Sequence, residues 1–251
     1  QADFIKHHLG PALKKASLKT KVVLFDHNCD RPDYPLALLN DPEVSQFVDG
    51  SGFHHYAGDM TALNIVHQAR PDKNLYFTEQ MVIEDTGTAR IDITEPVKRL
   101  VIDATRNWSK NLLLWNLAAD PANGPHTDNG GCPMCQGAIT ISGDAVTRNL
   151  AYYAVAHISK FVPDGAVRIQ STGPGDKIVV MTEDEESPGT MRLATVERSD
   201  VLPNVAFKTA NSIVLVVANN TYDKDGFTVQ FQGKKARLKL APGAVGTYVF
   251  Q

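Results

Sequence analysis

The sequence has few cysteines, no long apolar run and no excess of basic residues. Its three cysteines in 251 residues are too few for a disulfide scaffold, and no apolar run approaches the roughly 20 residues that span a bilayer. Lysine and arginine number 25 against 28 aspartates and glutamates and are dispersed, so no nucleic-acid partner is expected. No signal peptide opens the chain, and because Gln1 stands where Met would begin, we expect a processed chain or a piece of a longer one. What remains is a globular protein of one large domain, or of a domain with a smaller partner.

Two of the cysteines are close together, in the segment Cys132-Pro-Met-Cys135. A structural zinc site needs two more ligands, which only the fold could recruit from His126 and Cys29, because no second CxxC or HxxxH follows. A thioredoxin-type redox motif needs a helix start after a strand, whereas NGGCPMCQGA is a glycine-rich loop. We therefore expect no metal here, and either a local disulfide or a pair of reduced thiols.

Residues 1 to 163 alternate short apolar strands with amphipathic helical stretches. Strands are predicted in KVVLFD, VDGSGFHHYA, KNLYFTEQ and NLLLWNLAAD. Helices are predicted in DFIKHHLGPALKKA, YPLALLNDPEVSQFV, MTALNIVHQA, DITEPVKRLVIDATRNW and VTRNLAYYAVAHISKFV. This alternation is typical of an α/β domain with a parallel sheet that is covered on both faces.

In residues 164 to 251 the apolar residues no longer recur at helical spacing. VAFKTANS, IVLVVANN, FTVQFQG, ARLKLAPG and GTYVF are short alternating segments separated by Asn, Gly and Pro turns. They predict an antiparallel β-sandwich domain that begins near Pro163. We expect the acidic segment TEDEESPGT, residues 182–190, to be a solvated hairpin tip within this domain.

Polar side chains of the first domain collect where its predicted strands end. In a β/α barrel the carboxyl ends of neighbouring strands face one opening, which is where catalytic residues lie. We therefore expect one cleft lined by Asp26, His27 and Asn28, by His54, His55 and Tyr56, by Glu79 and Gln80, and by Trp115 and Asn116. Glu79 follows an apolar run directly, and we expect a rigid strand to hold it at the floor of that cleft.

Most of these residues also have a purely structural interpretation. Asp26 could cap the following helix, His54 and His55 could be one packed and one exposed histidine, and Trp115 could belong to the core. Glu79 is harder to explain in this way, because a carboxylate at the end of a buried strand is costly unless it is paired or used. The grouping favours a binding site, while the pattern alone leaves its chemistry open.

Six segments together resemble glycoside hydrolase family 30, which includes glucosylceramidases and endo-β-1,6-glucanases. They are DHNCDRPDYP, DGSGFHHYAG, LYFTEQ, LLWNLAADPANGPHTDNGGC, VTRNLAYYAVAHISKFV and LAPGAVGTYVF, in order over essentially the whole chain. The resemblance implies that Glu79 is the catalytic nucleophile and that Trp115 lines the glucose subsite. It further implies substrate contacts at the strand-six aromatic motif, His54, His55 and Tyr56, and at the strand-five end, Asp26, His27 and Asn28.

The sequence departs from this family in one respect. Family members carry the general acid/base in an Asn-Glu-Pro motif at the end of strand four, and this sequence has no Asn-Glu-Pro. The resemblance therefore implies the C-terminal half, strands five to eight, of a TIM (β/α)8 barrel followed by an antiparallel β-sandwich. A retaining glycosidase needs two carboxyl groups about 5 to 5.5 Å apart. We expect the N-terminal half, in cis or as a separate chain, to supply the second one, and the 251-residue chain alone to be inactive.

Three classes of function follow. The first is a retaining hydrolase of β-glucosides, of glucosylceramidase or β-1,6-glucanase type, which needs a carbohydrate substrate and no cofactor and, as the resemblance implies, is secreted or periplasmic. The alternative is a noncatalytic carbohydrate-binding or pseudoenzyme half-barrel, in which Trp115 and Tyr56 stack on sugar. The third, another hydrolase with His27 or His55 as base, is disfavoured because no G-x-S-x-G nucleophile elbow is present.

Overall fold

The computed structural model describes residues 1–83, 92–173, 180–183, 191–194, 201–221 and 224–251. The chain forms two compact units, one of residues 1–91 and 99–155 and the other of residues 92–98 and 156–251. Within the described ranges, no helix is long and apolar enough to cross a membrane. The domain boundary near Pro163 stays a prediction.

A four-stranded parallel sheet organises the first unit, in the order β1-β2-β3-β4. Its strands are β1 (Val22–Cys29), β2 (Val48–Gly58), β3 (Asn74–Glu79) and β4 (Ser109–Leu112). All three strand pairs are parallel, so the predicted parallel sheet is confirmed. The carboxyl ends of the four strands consequently lie along one edge of the sheet.

Helices precede, connect and follow these strands along the chain. They are α1 (Ala2–Phe4), a π-helical segment (Ile5–Leu9), α2 (Gly10–Lys15), α3 (Asp33–Leu39), α4 (Pro42–Ser45), α5 (Thr61–Ala69), α6 (Thr94–Pro96), a second π-helical segment (Val97–Ile102), α7 (Asp103–Arg106) and α8 (Leu150–Ser159). The predicted single helix YPLALLNDPEVSQFV is wrong, because two helices occupy it. The first helix, α3, ends at Leu39. Asp41 then caps α4, because its carboxylate accepts from the Glu43 N–H at 2.9 Å.

The core of the first unit contains buried apolar side chains from its strands and helices. Leu75 and Phe77 of β3 are buried, as are Phe53 of β2 and Leu63 and Val66 of α5. Burying one such side chain contributes about 1.5 to 3 kcal/mol. This packing fixes β3 rigidly up to its last residue.

A smaller three-stranded sheet follows β4 and corrects two predictions. It contains β5 (Ala118–Ala119), β6 (Ile139–Ser142) and β7 (Ala145–Arg148), in that order. The predicted strand NLLLWNLAAD is wrong in its extent, because β4 ends at Leu112 and Ala118–Ala119 pair with β6 instead. The predicted helix VTRNLAYYAVAHISKFV starts too early. Its first residues belong to β7, which returns against β6 after a tight turn at Gly143, where φ is +58°.

The second unit is antiparallel, which confirms the predicted sandwich. One sheet has the order β15-β12-β11-β8, and two further antiparallel pairs join β13 with β14 and β9 with β10. The strands are β8 (Val167–Ile169), β9 (Val180–Glu183), β10 (Met191–Ala194), β11 (Asn204–Lys208), β12 (Ile213–Ala218), β13 (Gly226–Phe231), β14 (Lys234–Lys239) and β15 (Val245–Phe250). Leu215 and Val217 of β12 are in its buried cluster, against which Phe227 of β13 and Tyr248 of β15 pack. β8, β9 and β10 were not predicted. Of the hairpin tip expected at residues 182–190, residues 182–183 belong to β9, and residues 184–190 lie outside the described residues.

Candidate active site

A bulge near the carboxyl end of β1 turns Asp26 toward the neighbouring strands. Phe25 pairs with Gly52 and His27 with Phe53, so Asp26 is the extra residue of β1 opposite β2. Phe25 and Asp26 both have positive φ angles, 74° and 57°. Bulges of this kind re-aim a side chain and are frequent beside active sites.

The carboxylate of Asp26 joins the ends of three strands. Its Oδ1 accepts a hydrogen bond from the Thr78 hydroxyl of β3 at 2.7 Å and lies 3.1 Å from His54 Nε2 of β2. Gly52 leaves the room for this arrangement, since a Cβ there would lie 3.0 Å from Thr78 Oγ1 and 3.2 Å from Asp26 Oδ1. Asp26 is thus held as an acceptor at the edge of the sheet, and it does not cap the following helix, α3.

Glu79 is the last residue of β3 and lies between His54 and Tyr56. His54 Nδ1 is 3.9 Å from Glu79 Oε1, which is longer than a hydrogen bond. Burial raises the pKa of Tyr56 to about 12, and the charge of nearby Glu79 acts in the same direction. The Tyr56 hydroxyl therefore stays protonated near the Glu79 carboxylate, and it accepts from the Met81 N–H at 3.1 Å.

Trp115 lies beyond the end of β4, next to the chain that leaves Glu79. The main-chain N–H of Trp115 donates to the Gln80 carbonyl at 3.0 Å, and Trp115 forms an isolated parallel bridge with Met81. Trp115 is 48% exposed, and its peptide bond to Asn116 is cis. Trp115 is therefore a half-exposed aromatic residue close to the residues that follow Glu79, and the interpretation of Trp115 as a core residue is wrong.

The remaining candidates hold different positions. The His27 ring centroid is 6.3 Å from that of His54, and Asn28 accepts from the Tyr56 N–H at 3.1 Å. The His55 carbonyl accepts from the buried Gln80 amide at 2.8 Å when that amide is oriented to satisfy both of its neighbours. The Asn28 side chain thus joins β1 to the main chain of β2, and the His55 carbonyl joins β2 to the Gln80 side chain just after β3.

Sequence reasoning missed three residues of this cluster. They are Thr78 and Gly52, which fix Asp26, and Arg99, whose guanidinium donates to the Gln80 amide oxygen at 3.1 Å in the same orientation of that amide. Arg99 also lowers the pKa of Tyr56, against the larger effects of burial and Glu79. Thr78 and Gly52 carry no signal of their own, because their role depends on the register of β1 to β3.

The cysteine pair forms a disulfide, one of the two alternatives left open by the sequence. Cys132 and Cys135 are bonded, with Cα atoms 5.5 Å apart. The Cys135 sulfur lies 3.3 Å from Met81 Sδ, which is a packing contact, because a disulfide carries no proton to donate. Burial raises the pKa of the free Cys29 to about 12, with smaller contributions from Asp59 and Asp30, so this thiol is not a reactive one. In the part of the chain that the structure describes, no group of three His, Cys, Asp or Glu side chains could hold a metal ion.

Comparison with known proteins identifies both parts of the chain. Residues 1–162 match the glycosyl hydrolase family 30 TIM-barrel domain, and residues 189–248 match the glycosyl hydrolase family 30 beta sandwich domain. The chain is 34% identical over 174 residues to the endo-1,6-beta-D-glucanase neg1 of Aspergillus fumigatus, covering 68% of this chain. It is 27% identical over 185 residues to the lysosomal acid glucosylceramidase of Mus musculus, covering 67% of this chain. In structure it resembles the endo-beta1,6-glucanase BT3312, with a TM-score of 0.80 at 30% identity over the whole chain.

The chain is shorter than these proteins. Its aligned part spans 34% of the Aspergillus fumigatus protein and 35% of the mouse protein, and the chain covers 53% of BT3312. The fold class expected from the sequence, a partial TIM barrel followed by a β-sandwich, is confirmed. The chain belongs to glycoside hydrolase family 30.

Proposed function

We propose that this chain carries the nucleophile of a retaining β-glycoside hydrolase and that Glu79 is that nucleophile. The observation that supports this role is the position of Glu79 at the end of a buried strand, close enough to Tyr56 to raise the pKa of its hydroxyl. The protonated Tyr56 hydroxyl is proposed to donate to the Glu79 carboxylate. Packing of β3 fixes the direction of the carboxylate, and the hydrogen bond fixes its rotation. A nucleophile held in this way meets the anomeric carbon without losing further side-chain freedom.

The chemistry proceeds in two steps. In the first, a Glu79 oxygen attacks the anomeric carbon, the glycosidic C–O bond breaks, and its electron pair leaves with the aglycone oxygen, which takes a proton from a general acid. In the second, water attacks the same carbon, the residue that gave its proton to the aglycone takes a proton from this water, and Glu79 leaves as a carboxylate. Tyr56, which remains protonated, orients the carboxylate in both steps.

The proton donor is proposed to come from the N-terminal half of the barrel, in cis or as a separate chain. Asp26 is close to His54 but is held as an acceptor by the Thr78 hydroxyl at 2.7 Å, which does not suit a proton donor. Without an acid, the chain alone should not hydrolyse an unactivated glycoside.

The proposed substrate is a β-glucoside, either a β-1,6-linked glucan or a glucosylceramide. The exposed ring of Trp115 offers a stacking surface for the sugar, and the names of the relatives point to these two classes. His27 and His54 are proposed to hydrogen-bond sugar hydroxyls. A secreted or periplasmic location is proposed with this activity, on the basis of the membership in family 30.

The alternative is a noncatalytic carbohydrate-binding half-barrel. The half-exposed rings of Trp115 and Tyr56 favour it, because they can stack on sugar without hydrolysis. One experiment separates the two functions. The 251-residue chain is incubated with 2,4-dinitrophenyl 2-deoxy-2-fluoro-β-glucoside, whose leaving group departs without an acid. Mass spectrometry then locates the adduct.

The catalytic proposal expects one covalent fluoroglucosyl group on Glu79 and none in the Glu79→Gln variant. The matched control is Glu95→Gln, a carboxylate outside the cluster of strand ends, which should leave labelling of Glu79 unchanged. Sugar binding by nuclear magnetic resonance without any adduct supports the noncatalytic half-barrel. An adduct on another residue of the wild-type chain contradicts the assignment of Glu79.

A further inference from the structure

A cavity of about 240 Å³ lies at the carboxyl end of β1, beside the start of α3. Gln1, Phe25, His27, Arg31 and Tyr34 line it. This volume is below the ~300 to 1,000 Å³ of pockets for drug-sized ligands, so the cavity suits one small ring. The cavity is called the β1 pocket below.

The walls of the β1 pocket are aromatic and fixed. Tyr34 is 40% exposed, and its ring is 5.6 Å from the buried ring of Phe25 at an angle of 33°. Gln1 holds the strand at this point, because its Oε1 accepts from the Phe25 N–H at 3.1 Å. An exposed aromatic face on a rigid wall is a surface on which the C–H face of a sugar can stack.

The polar groups of the β1 pocket favour a neutral ligand. Arg31 makes two hydrogen bonds of 2.9 Å with Asp33, which use two of its five N–H donors and compensate its charge. The remaining donors can bind hydroxyl oxygens, while a carboxylate or phosphate would meet the charge of Asp33. Hydroxyl-rich neutral rings therefore fit this chemistry better than anions.

The β1 pocket lies at the β1 side of the four-stranded sheet, whereas Trp115 follows β4 at the other side. His27 is on β1 and its ring is 6.3 Å from that of His54 on β2, whose Nδ1 is 3.9 Å from Glu79 on β3. Two strand spacings amount to about 10 Å, so one sugar ring at Glu79 does not reach β1, whereas a second linked ring does. A saccharide that lies along the carboxyl edge of the sheet occupies both places.

We propose that the β1 pocket binds a second neutral sugar unit of a β-linked oligosaccharide whose first unit lies against Glu79 and Trp115. Tyr34 stacks on this unit, and Arg31 donates to one of its hydroxyls. The inference rests on the proposed function, because Glu79 and Trp115 define the first position. It also makes a β-linked glucan, rather than a glucoside with an apolar aglycone, the substrate class of the site.

The test is binding of two sugars to the 251-residue chain, measured by nuclear magnetic resonance titration. The sugars are gentiobiose, a β-1,6-linked glucose disaccharide, and methyl β-glucoside. Tyr34→Ala should weaken gentiobiose binding about three- to tenfold, as expected for one aromatic contact, and leave methyl β-glucoside binding unchanged. Tyr34→Phe keeps the ring and should bind as wild type. Tyr153→Ala, at another exposed tyrosine, is the matched control, and circular dichroism checks that each variant is folded.

Trp115→Ala separates this inference from the proposed function. Both hypotheses expect it to weaken binding of both sugars. If Trp115→Ala does so while Tyr34→Ala changes neither, the β1 pocket is not a subsite and the proposed function stands. If Tyr34→Ala and Tyr34→Phe weaken gentiobiose equally, the stacking role of the ring is wrong. If neither sugar binds the wild-type chain, both the subsite and the sugar position at Trp115 are overturned.

Discussion

Replacement of Gly52 by alanine tests whether the position of Asp26 matters for the chemistry at Glu79. The new Cβ would lie 3.0 Å from Thr78 Oγ1, 3.1 Å from Thr78 Cγ2 and 3.2 Å from Asp26 Oδ1. These distances are shorter than normal contacts, so Thr78 or Asp26 must move by a few tenths of an ångström. Such overpacking costs about 1 to 3 kcal/mol of stability. The same movement stretches the 2.7 Å hydrogen bond from Thr78 to Asp26 and shifts Asp26 relative to His54.

The effect on the reaction follows from the same displacement. A misplacement of about 1 Å costs about 100-fold in rate, so a few tenths should slow fluoroglucosyl labelling of Glu79 by about three- to tenfold. The assay is the labelling rate by mass spectrometry, with the melting temperature measured on the same sample. Thr78→Ser removes Cγ2 and keeps the hydroxyl, so the Gly52→Ala, Thr78→Ser double variant should recover part of both losses. Labelling within twofold of wild type, with an unchanged melting temperature, would refute the role given to Gly52.

Three further predictions concern other contacts. Tyr56→Phe removes the donor to Glu79 and should slow labelling of Glu79 about tenfold; an unchanged rate would contradict the orienting role of the hydroxyl. Burial lowers the pKa of His157, so the free energy of unfolding should fall as pH drops below about 6.5, because the unfolded chain then binds a proton that the folded chain resists. Melting curves at pH 7.5 and 5.5 should show a smaller decrease for His157→Gln than for wild type, and equal decreases would refute this. Removing the Cys132–Cys135 disulfide, which closes a loop of four residues, should cost about 2 kcal/mol in the chain-entropy model. Urea unfolding of the Cys132→Ala, Cys135→Ala variant measures this, and an unchanged midpoint would contradict it.

Much of the fold could be predicted because its signals are local. β1, β2 and β3 each contain buried residues followed by polar residues near the carboxyl end, and this pattern is visible in the sequence. The predicted boundaries were wrong where two secondary-structure elements lie in one continuous segment that reads as a single helix or strand. The predicted helix includes residues 146–148, but these follow the tight turn at Gly143, where φ is +58°, and pair with β6 as part of a strand. The pairing of Ala118–Ala119 with β6 depends on a partner 21 residues away and leaves no local pattern.

The sequence predicted which residues belong to the candidate site, but it did not predict the hydrogen bonds between them. Glu79 and Trp115 were identified from their position at strand ends and from the family resemblance, and the structure brings both to neighbouring strand ends. The bond between Asp26 and Thr78 joins residues 52 apart in sequence and needs a bulge in β1. No periodicity encodes a bulge, because it is defined by the register with β2. Gly52 could be recognised as part of the site only after that register was known.

The opposite end of the same sheet shows why a carboxylate on a strand is not by itself a functional signal. Asp49, at the amino end of β2, accepts from the Asn74 side chain at 2.8 Å and from the Tyr76 hydroxyl, and it pairs with Lys21 at 3.1 Å. Although burial acts against it, these three partners hold the pKa of Asp49 below its ordinary value. A carboxylate that already accepts from several protein donors is fixed as a structural group, because a substrate would have to compete with bonds already made. Glu79 has the protonated Tyr56 nearby and His54 Nδ1 at 3.9 Å, beyond hydrogen-bonding distance, so its carboxylate keeps lone pairs for attack. The difference between the two carboxylates is therefore the number of protein donors around each, which follows from the fold and not from the residue type.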